Sequence, residues 1–342
     1  MNPSESLEKS LVPWIAGEGL ELAPNALSYI QAWWQRAQGA YPPNTRKAWT
    51  CDWTVFFEFC RPRGLCPLPA TPETVADFVK ACQRVKKPAT VRRYLSTIAL
   101  AHRIAKFVNP CDDEAVRLEL RGLESAMGVR QRQARALGWT EIKKFLELAG
   151  ESLPATRERA LLCVAYDTMA RRSELVAFDV EDFQCLTDGT GRALMRRSKT
   201  DQVGEGSTAY LSRTTVRHLK TWLDAAKIEA GPVFRRVIGR GTAKDVPAGR
   251  GRIAERLSVD GIAQAFKRVA KWIKMPAEDI AQVSGHSIRV GATQDLLALN
   301  IDLASVMQAG RWKTNRMPMR YGEYVLAARG GMARAAEAQG RD

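Results

Sequence analysis

Between Leu22 and Met127 apolar residues recur every three or four positions and almost never alternate. That spacing builds helices with one apolar face and leaves little material for a half-buried sheet. The first third of the chain therefore reads as a helical bundle. Its clearest helix is Pro88–Phe107, where Val91, Leu95, Ile98, Ala101 and Ala105 form a core stripe. Arg92, Ser96, Arg103 and Lys106 fall on another face. A short Ser between long cations lets such a face sit close to phosphates; the same pattern also fits an ordinary solvated face. Asn44-Thr45-Arg46-Lys47 opens another helix, with Asn44 or Thr45 as cap, and Trp49, Trp53, Phe56 and Phe57 follow on a buried face. A further helix begins at Thr71-Pro72-Glu73. Thr71 can cap it, and Pro72 suits a first turn, where its missing N–H costs nothing.

The second half has a different texture. Residues 128–138 hold three Arg, two Gln and no acid, a polar stretch without core-forming spacing. A new helical region starts near Trp139-Thr140-Glu141, where Thr140 can cap, and Arg157–Met169 is helical. Phe178–Phe183, Ala193–Arg197 and Thr208–Leu211 read as short strands, broken by Thr187-Asp188-Gly189 and Gly204-Glu205-Gly206. From Thr214 the pattern is again mostly helical, interrupted by a Gly/Arg-rich loop at 239–252. The expected architecture is mainly α with a small antiparallel β-sheet in the second domain. It comprises an arm over 1–20, a helical domain over 21–128, a basic linker over 129–138 and a second domain over 139–342. A length of 342 residues suits two domains.

Charge narrows the partner. Lys and Arg number 52 against 37 Asp and Glu, a net +15. From Arg84 to Lys106 there are seven basic residues and no acid, and from Arg235 to Lys274 eleven basic against three acidic. Two basic blocks suggest two surfaces facing one polyanion. No apolar run approaches the ~18 residues of a membrane span. The opening MNPSESLEKS carries charge before any apolar stretch, unlike a secretory signal. Seven Cys with no CxxC pair fit reduced thiols and a cytoplasmic setting. Three His (His102, His218, His286) do not make a His-rich metal site, so neither metal nor cofactor is expected.

Four short segments hold the groups able to do chemistry: Met169-Ala170-Arg171-Arg172-Ser173-Glu174-Leu175, Arg197-Ser198-Lys199-Thr200, Gly285-His286-Ser287-Ile288-Arg289, and Gly310-Arg311-Trp312 followed by Tyr321. Arg171 follows an apolar helix and needs a partner. His286 and Arg289, three apart, share a helix face. Lys199 adjoins a Gly-rich turn. One Lys, two Arg, one His and one Tyr without a carboxylate pair match metal-free phosphate chemistry. Two Arg can clamp the oxygens of a phosphodiester under attack. A free tyrosine with pKa near 10 is about one part in a thousand ionised at pH 7, an activation cost of about 4 kcal/mol that cations and a His would reduce. Each segment alone is commonplace; their order and spacing form the signal.

Together these segments resemble the tyrosine recombinases of the phage integrase family. The likeness is strongest over Ser284–Gly310 and over Tyr166–Glu174. Asn44–Lys47 and Thr90–Arg93 resemble the family's core-binding domain. The resemblance implies a two-domain clamp on duplex DNA and site-specific recombination without metal or ATP. It implies that Arg171 and Arg289 hold the scissile phosphate and that His286 assists proton transfer. By the same likeness Lys199 is the general acid and Glu174 orients the site. Trp312 stands where many members carry His, and an indole donates a hydrogen bond but moves no proton. Tyr321, nine residues after Trp312, would be the nucleophile. Tyr324 lies three residues on, on the same helix face, and its spacing from Trp312 is less apt; Arg172 adjoins Arg171, which has the better spacing to Glu174. Arg311 and Arg320 have no required role. The tail Val325–Ala336 would pack on a neighbouring protomer or fray.

Candidate DNA contacts are Arg46, Lys47, Arg92, Arg93, Arg103, Lys106 and Arg132, with Gln264, Lys267 and Arg268 in a base-reading helix within Ser258–Trp272. The implied partners are duplex DNA with inverted-repeat half-sites and further copies of the chain, a dimer on one site and a tetramer in the synapse. Two alternatives stay open: a catalytically silent DNA-binding protein of this fold, and a type IB topoisomerase-like enzyme.

Overall fold

The computed structural model describes residues 24–83, 85–130, 132–196, 206–237 and 253–341. The proposed arm (1–20), Arg197, Lys199 and the loop at 239–252 lie outside them. The chain divides into two compact units between Gln131 and Arg132. The fold is mainly α with a small antiparallel sheet, as the patterning predicts.

The first unit is built from α1 (Pro24–Ala40), α2 (Pro43–Cys60), α3 (Pro72–Cys82), α4 (Pro88–Ile104) and α5 (Glu114–Met127). The α4 stripe of Val91, Leu95, Ile98, Ala101 and Ala105 is buried, and Arg92, Ser96, Arg103 and Lys106 are exposed. Trp53 and Phe56 are fully enclosed, with Trp49 and Phe57 packed against the same core. Thr71 caps α3 by accepting from Thr74 N at 3.3 Å. Neither Asn44 nor Thr45 caps α2. The helix begins at Pro43 after Pro42, whose carbonyl takes the N–H groups of Thr45 and Arg46. Proline's fixed φ starts the helix there without a side-chain cap. His102 is a structural residue of this core. Its Nε2 accepts from Ala70 N at 2.8 Å, and its Nδ1–H donates to Ile98 O at 2.8 Å. Those partners fix the neutral tautomer, because a carbonyl only accepts and an amide N–H only donates.

The second unit packs around α7 (Leu153–Thr168), preceded by α6 (Trp139–Leu148) and followed by α8 (Arg172–Ala177). A three-stranded antiparallel sheet comprises β1 (Phe183–Cys185), β2 (Gly191–Met195) and β3 (Ser207–Leu211), in the order β1-β2-β3. Phe178–Phe183 is not a strand. Residues 180–182 form a 3₁₀ turn, because the Asp182 carboxylate accepts from Asp179 N at 2.9 Å and closes the backbone locally. Then come α9 (Arg213–Ala226), the paired strands β4 (Arg235–Val237) and β5 (Ile253–Arg256), α10 (Val259–Trp272) and α11 (Ala277–Gln282). The unit ends with α12 (Ser287–Ala298), α13 (Leu303–Gly310), α14 (Arg316–Tyr321), α15 (Glu323–Ala328) and α16 (Gly331–Ala338).

Residues 132–138 are tied into this unit. Arg135 N donates to Gln282 O and Leu137 N to Ser287 O, and Arg135 pairs with Asp279 at 3.1 Å. Helix α6 starts at Trp139 rather than after a Thr140 cap. Its first N–H groups are taken by Asp295 (Trp139 N, 2.7 Å) and Glu141 (Gly138 N, 2.9 Å), so no hydroxyl is needed at 140. Asp295 also accepts from the Tyr166 hydroxyl at 2.8 Å. Among the described residues no helix is long and apolar enough to cross a membrane, and the seven cysteines are all free.

Candidate active site

Helix α7 ends in a conformation that few side chains adopt. Met169 closes it with φ of 46°, in the left-handed region, at a cost of about 1–2 kcal/mol for a non-glycine residue. The turn exposes the carbonyls of Thr168 and Met169, and guanidiniums occupy both. Arg311 Nη1 donates to Thr168 O at 2.7 Å, and Arg289 Nη1 donates to Met169 O. Arg289 Nη2 donates to Gly310 O, so α12 is keyed to the ends of both α7 and α13.

Arg171, two residues beyond the turn, stands at the N-terminus of α8. Its backbone N–H and its Nη1 both donate to Glu174, at 2.9 and 2.7 Å. Arg311 Nη2 donates to Oε2 of the same carboxylate at 2.9 Å, the oxygen that also accepts from the Arg171 backbone N–H. Burial would raise the Glu174 carboxyl, but the Arg171 N–H bond and the two guanidiniums outweigh it and hold it below the usual range. Glu174 is therefore an anion that aims cations. Arg289 is almost fully buried. Desolvation first, then the charges of Arg171 and Arg311, push its pKa down to about 9, which leaves it cationic at neutral pH.

Aromatic contacts complete the cluster. The Arg289 guanidinium lies 4.3 Å from the Trp312 ring centroid, and Trp312 meets Tyr321 edge-on at 5.9 Å. Gly310 makes this possible, since a Cβ there would sit 2.0 Å from the indole. Arg171, Glu174, Arg289, Trp312 and Tyr321 thus form one connected group. His286 is the N-cap residue of α12 and is exposed, while Arg289, three residues on, is buried within the helix. Arg172 points away, exposed and paired with Asp260 at 3.4 Å. Tyr321 ends α14 and is half-buried. Tyr324 belongs to α15 and is 76% exposed, so the two phenols are on separate helices, contrary to the same-face expectation.

Arg311 is the residue that sequence reasoning passed over. It is a half-buried cation bonded to the Thr168 carbonyl and the Glu174 carboxylate, not an idle surface charge. A signal existed: like Arg171, it interrupts an apolar segment (VMQAGRW), and a charge there needs a partner.

The candidate DNA contacts divide into two kinds. Lys47, Arg103, Lys106, Arg132 and Gln264 are exposed. Arg92 pairs with Glu124 at 2.6 Å, and Arg93 with the buried Asp52 at 2.7 Å. Arg46 is half-buried with its Nε unpaired among protein atoms, and Lys267 is half-buried. Arg268 places Nε and Nη2 on Glu158, at 2.8 and 2.6 Å. Glu158 is buried and also takes Arg157 at 3.3 Å. No group of three His, Cys, Asp or Glu among the described residues is placed to hold a metal ion.

Residues 136–324 match the model of the phage integrase family, and the chain belongs to that family. It is thus a tyrosine recombinase, an enzyme of DNA strand cleavage and rejoining. An integrase/recombinase XerD homolog of Selenomonas ruminantium is 29% identical over 84% of this chain and 83% of that protein. The Cre recombinase of Escherichia phage P1 is 29% identical over 83% of this chain and 87% of its own length. The fold is shared with the XerH site-specific recombinase bound to a palindromic difH substrate (TM-score 0.56, 14% identity, 98% of this chain and 93% of that one). It is shared as well with the Tn1549 transposon integrase in complex with a circular intermediate DNA (TM-score 0.58, 12% identity, 87% and 94% covered).

Proposed function

We propose that the protein recombines duplex DNA at specific sites through a 3′-phosphotyrosine intermediate, with Tyr321 as nucleophile. The observation that carries this reading is the Arg289–Trp312–Tyr321 stack beside the Arg171–Glu174 pair. A phosphodiester bound there meets two guanidiniums on its non-bridging oxygens, with an indole N–H as a further donor. The Tyr321 oxygen attacks phosphorus, and His286 assists removal of the phenolic proton. The bond to the 5′ oxygen breaks, and Lys199 gives that oxygen its proton. A 5′-hydroxyl from the partner duplex then attacks the phosphotyrosine and returns the phenol. Each step exchanges one phosphoester for another, so bond energy is conserved and ATP is not consumed. Arg171 and Arg289 neutralise the charge that a metal ion would otherwise meet.

In this reading the DNA has inverted-repeat half-sites, two protomers occupy one site and four form the synapse. The tail Val325–Ala336, which spans the end of α15 and most of α16, links neighbouring protomers, and the reaction takes place in the cytoplasm. Lys47, Arg103, Lys106 and Arg132 contact backbone phosphates, while α10 reads bases through Gln264 and Lys267. Arg92, Arg93 and Arg268 add to the basic surface from within their pairs, and Arg46 adds to it from a half-buried position.

The test is a nicked suicide duplex carrying the inverted repeat that adjoins the gene. Wild type gives an SDS-resistant adduct and intermolecular strand exchange, and Tyr321→Phe gives neither. An adduct that persists in Tyr321→Phe sinks the nucleophile assignment; relaxation without exchange would mark a topoisomerase instead.

A further inference from the structure

Tyr321 is the last residue of a six-residue helix, α14. Its backbone carbonyl belongs to the set that a helix C-terminus leaves without an intrahelical partner. Two side-chain amides take it: Gln133 Nε2 donates at 3.2 Å and Gln294 Nε2 at 3.0 Å. A carbonyl oxygen has two lone pairs and only accepts, so both amides present their NH₂ ends. The next residue is seated on the same helix as Gln294. A Cβ on Gly322 would lie 2.1 Å from Leu297 Cδ1, so a glycine lets the backbone come this close to α12. Gln294 and Leu297, three apart, face the same way on α12.

We propose that Gln133 and Gln294 are positioning residues for the attacking phenol, a two-amide clamp on the main chain of Tyr321. This rests on the reading of Tyr321 as nucleophile. The two amides take their bearings from different places. Gln294 stands on the helix that carries Arg289, five residues away, so α12 acts as a rigid ruler between phenol and phosphate-holding guanidinium. Gln133 lies two residues past the division between the units and ties the phenol to the segment by which the chain arrives from the first unit. A misplaced nucleophile loses rate without losing substrate affinity, because the clamp touches main chain and not DNA. Strain in residues 132–138 then reaches the main chain of Tyr321 through one hydrogen bond.

The test uses the full chain. Gln133→Met and Gln294→Met keep side-chain length and remove the donor. Gln133→Glu and Gln294→Glu keep the shape and set an ionised oxygen against the carbonyl. Three quantities are read: the half-saturating protein concentration for the suicide duplex, the single-turnover rate of adduct formation at saturation, and hydrogen exchange of amides 316–325 without DNA. Each Met variant slows adduct formation about three- to tenfold, the double Met variant more, and each Glu variant more than its Met counterpart. Half-saturation stays within about twofold, and exchange across 316–325 accelerates. Wild-type adduct rates in the double variant overturn the clamp. So does unchanged exchange, or a loss of binding that matches the loss of rate, which marks a folding defect. An adduct in Tyr321→Phe removes the nucleophile reading instead, and the exchange arm still decides whether the amides hold α14.

Discussion

Arg311 shows how one side chain joins two parts of the chemistry. It fills the second face of Glu174 and the Thr168 carbonyl, so removing it leaves a buried carboxylate with one cation and a carbonyl with no donor. Arg311→Ala should lower stability by about 1–3 kcal/mol, read from urea midpoints, and should slow adduct formation more than binding. Arg311→Lys keeps the charge but loses the fork, and its rate should fall between the two. Gly310→Ala attacks the same corner by a different route, since its methyl displaces Trp312. Loss of adduct formation with retained duplex binding is the expected result. Two histidines outside the site give a pH signature. Burial lowers the pKa of His102, and burial followed by the charges of Arg217 and Arg159 lowers that of His218 to about 4. Below the ordinary histidine pKa of about 6.5 the unfolded chain takes protons that the folded chain refuses. Stability is therefore full above about pH 6.5 and falls as pH drops toward the folded-state values. For the enclosed His102 the slope reaches about 1.4 kcal/mol per pH unit, and His102→Gln should remove that share from the urea-midpoint profile while the His218 share remains.

At the scale of elements, local signals were legible and distant partners were not. The α4 stripe could be read because its members lie within one helix and its C-cap, and Thr71 could be read because the N–H it accepts from is three residues on. Helix α6 began earlier than its sequence suggests because its cap comes from Asp295, 156 residues away. Arg311 was missed for the same reason: its carboxylate is 137 residues distant, and nothing in VMQAGRW names it. Arg171 and Glu174, by contrast, are three apart, and the family resemblance marked both residues, though not their ion pair. Asp295 offers a test of such long-range caps. Asp295→Ala frees both the α6 terminus and the Tyr166 hydroxyl, and should cost about 2–4 kcal/mol in chemical denaturation. Both donors meet the same oxygen, Oδ2, so Asp295→Asn keeps one acceptor for the two and should cost less.

For the whole molecule, charge decides the approach to DNA. Each unit has its own core, and each presents basic residues: Lys47, Arg103 and Lys106 in one, Arg132 and Lys267 in the other. Duplex binding should weaken with a log–log salt slope of about −0.9 per phosphate neutralised. Replacing Arg103 and Lys106 by Gln should flatten that slope by about two such increments while leaving the rate at saturation unchanged. A slope unaltered by the pair would mean that this face is solvated only.

The pairing of Arg268 with Glu158 also bears on how such an enzyme changes its target over generations. Glu158 is an enclosed carboxylate shared between Arg157 and Arg268, so replacements at 268 leave a buried acid held by Arg157 alone, at the longer distance of 3.3 Å. Randomised libraries for new sites should return few variants at 268 and many at 264. In the proposed reading, in which α10 meets bases, position 268 is the more constrained of the two, and compensating changes at 158 should travel with substitutions of Arg268.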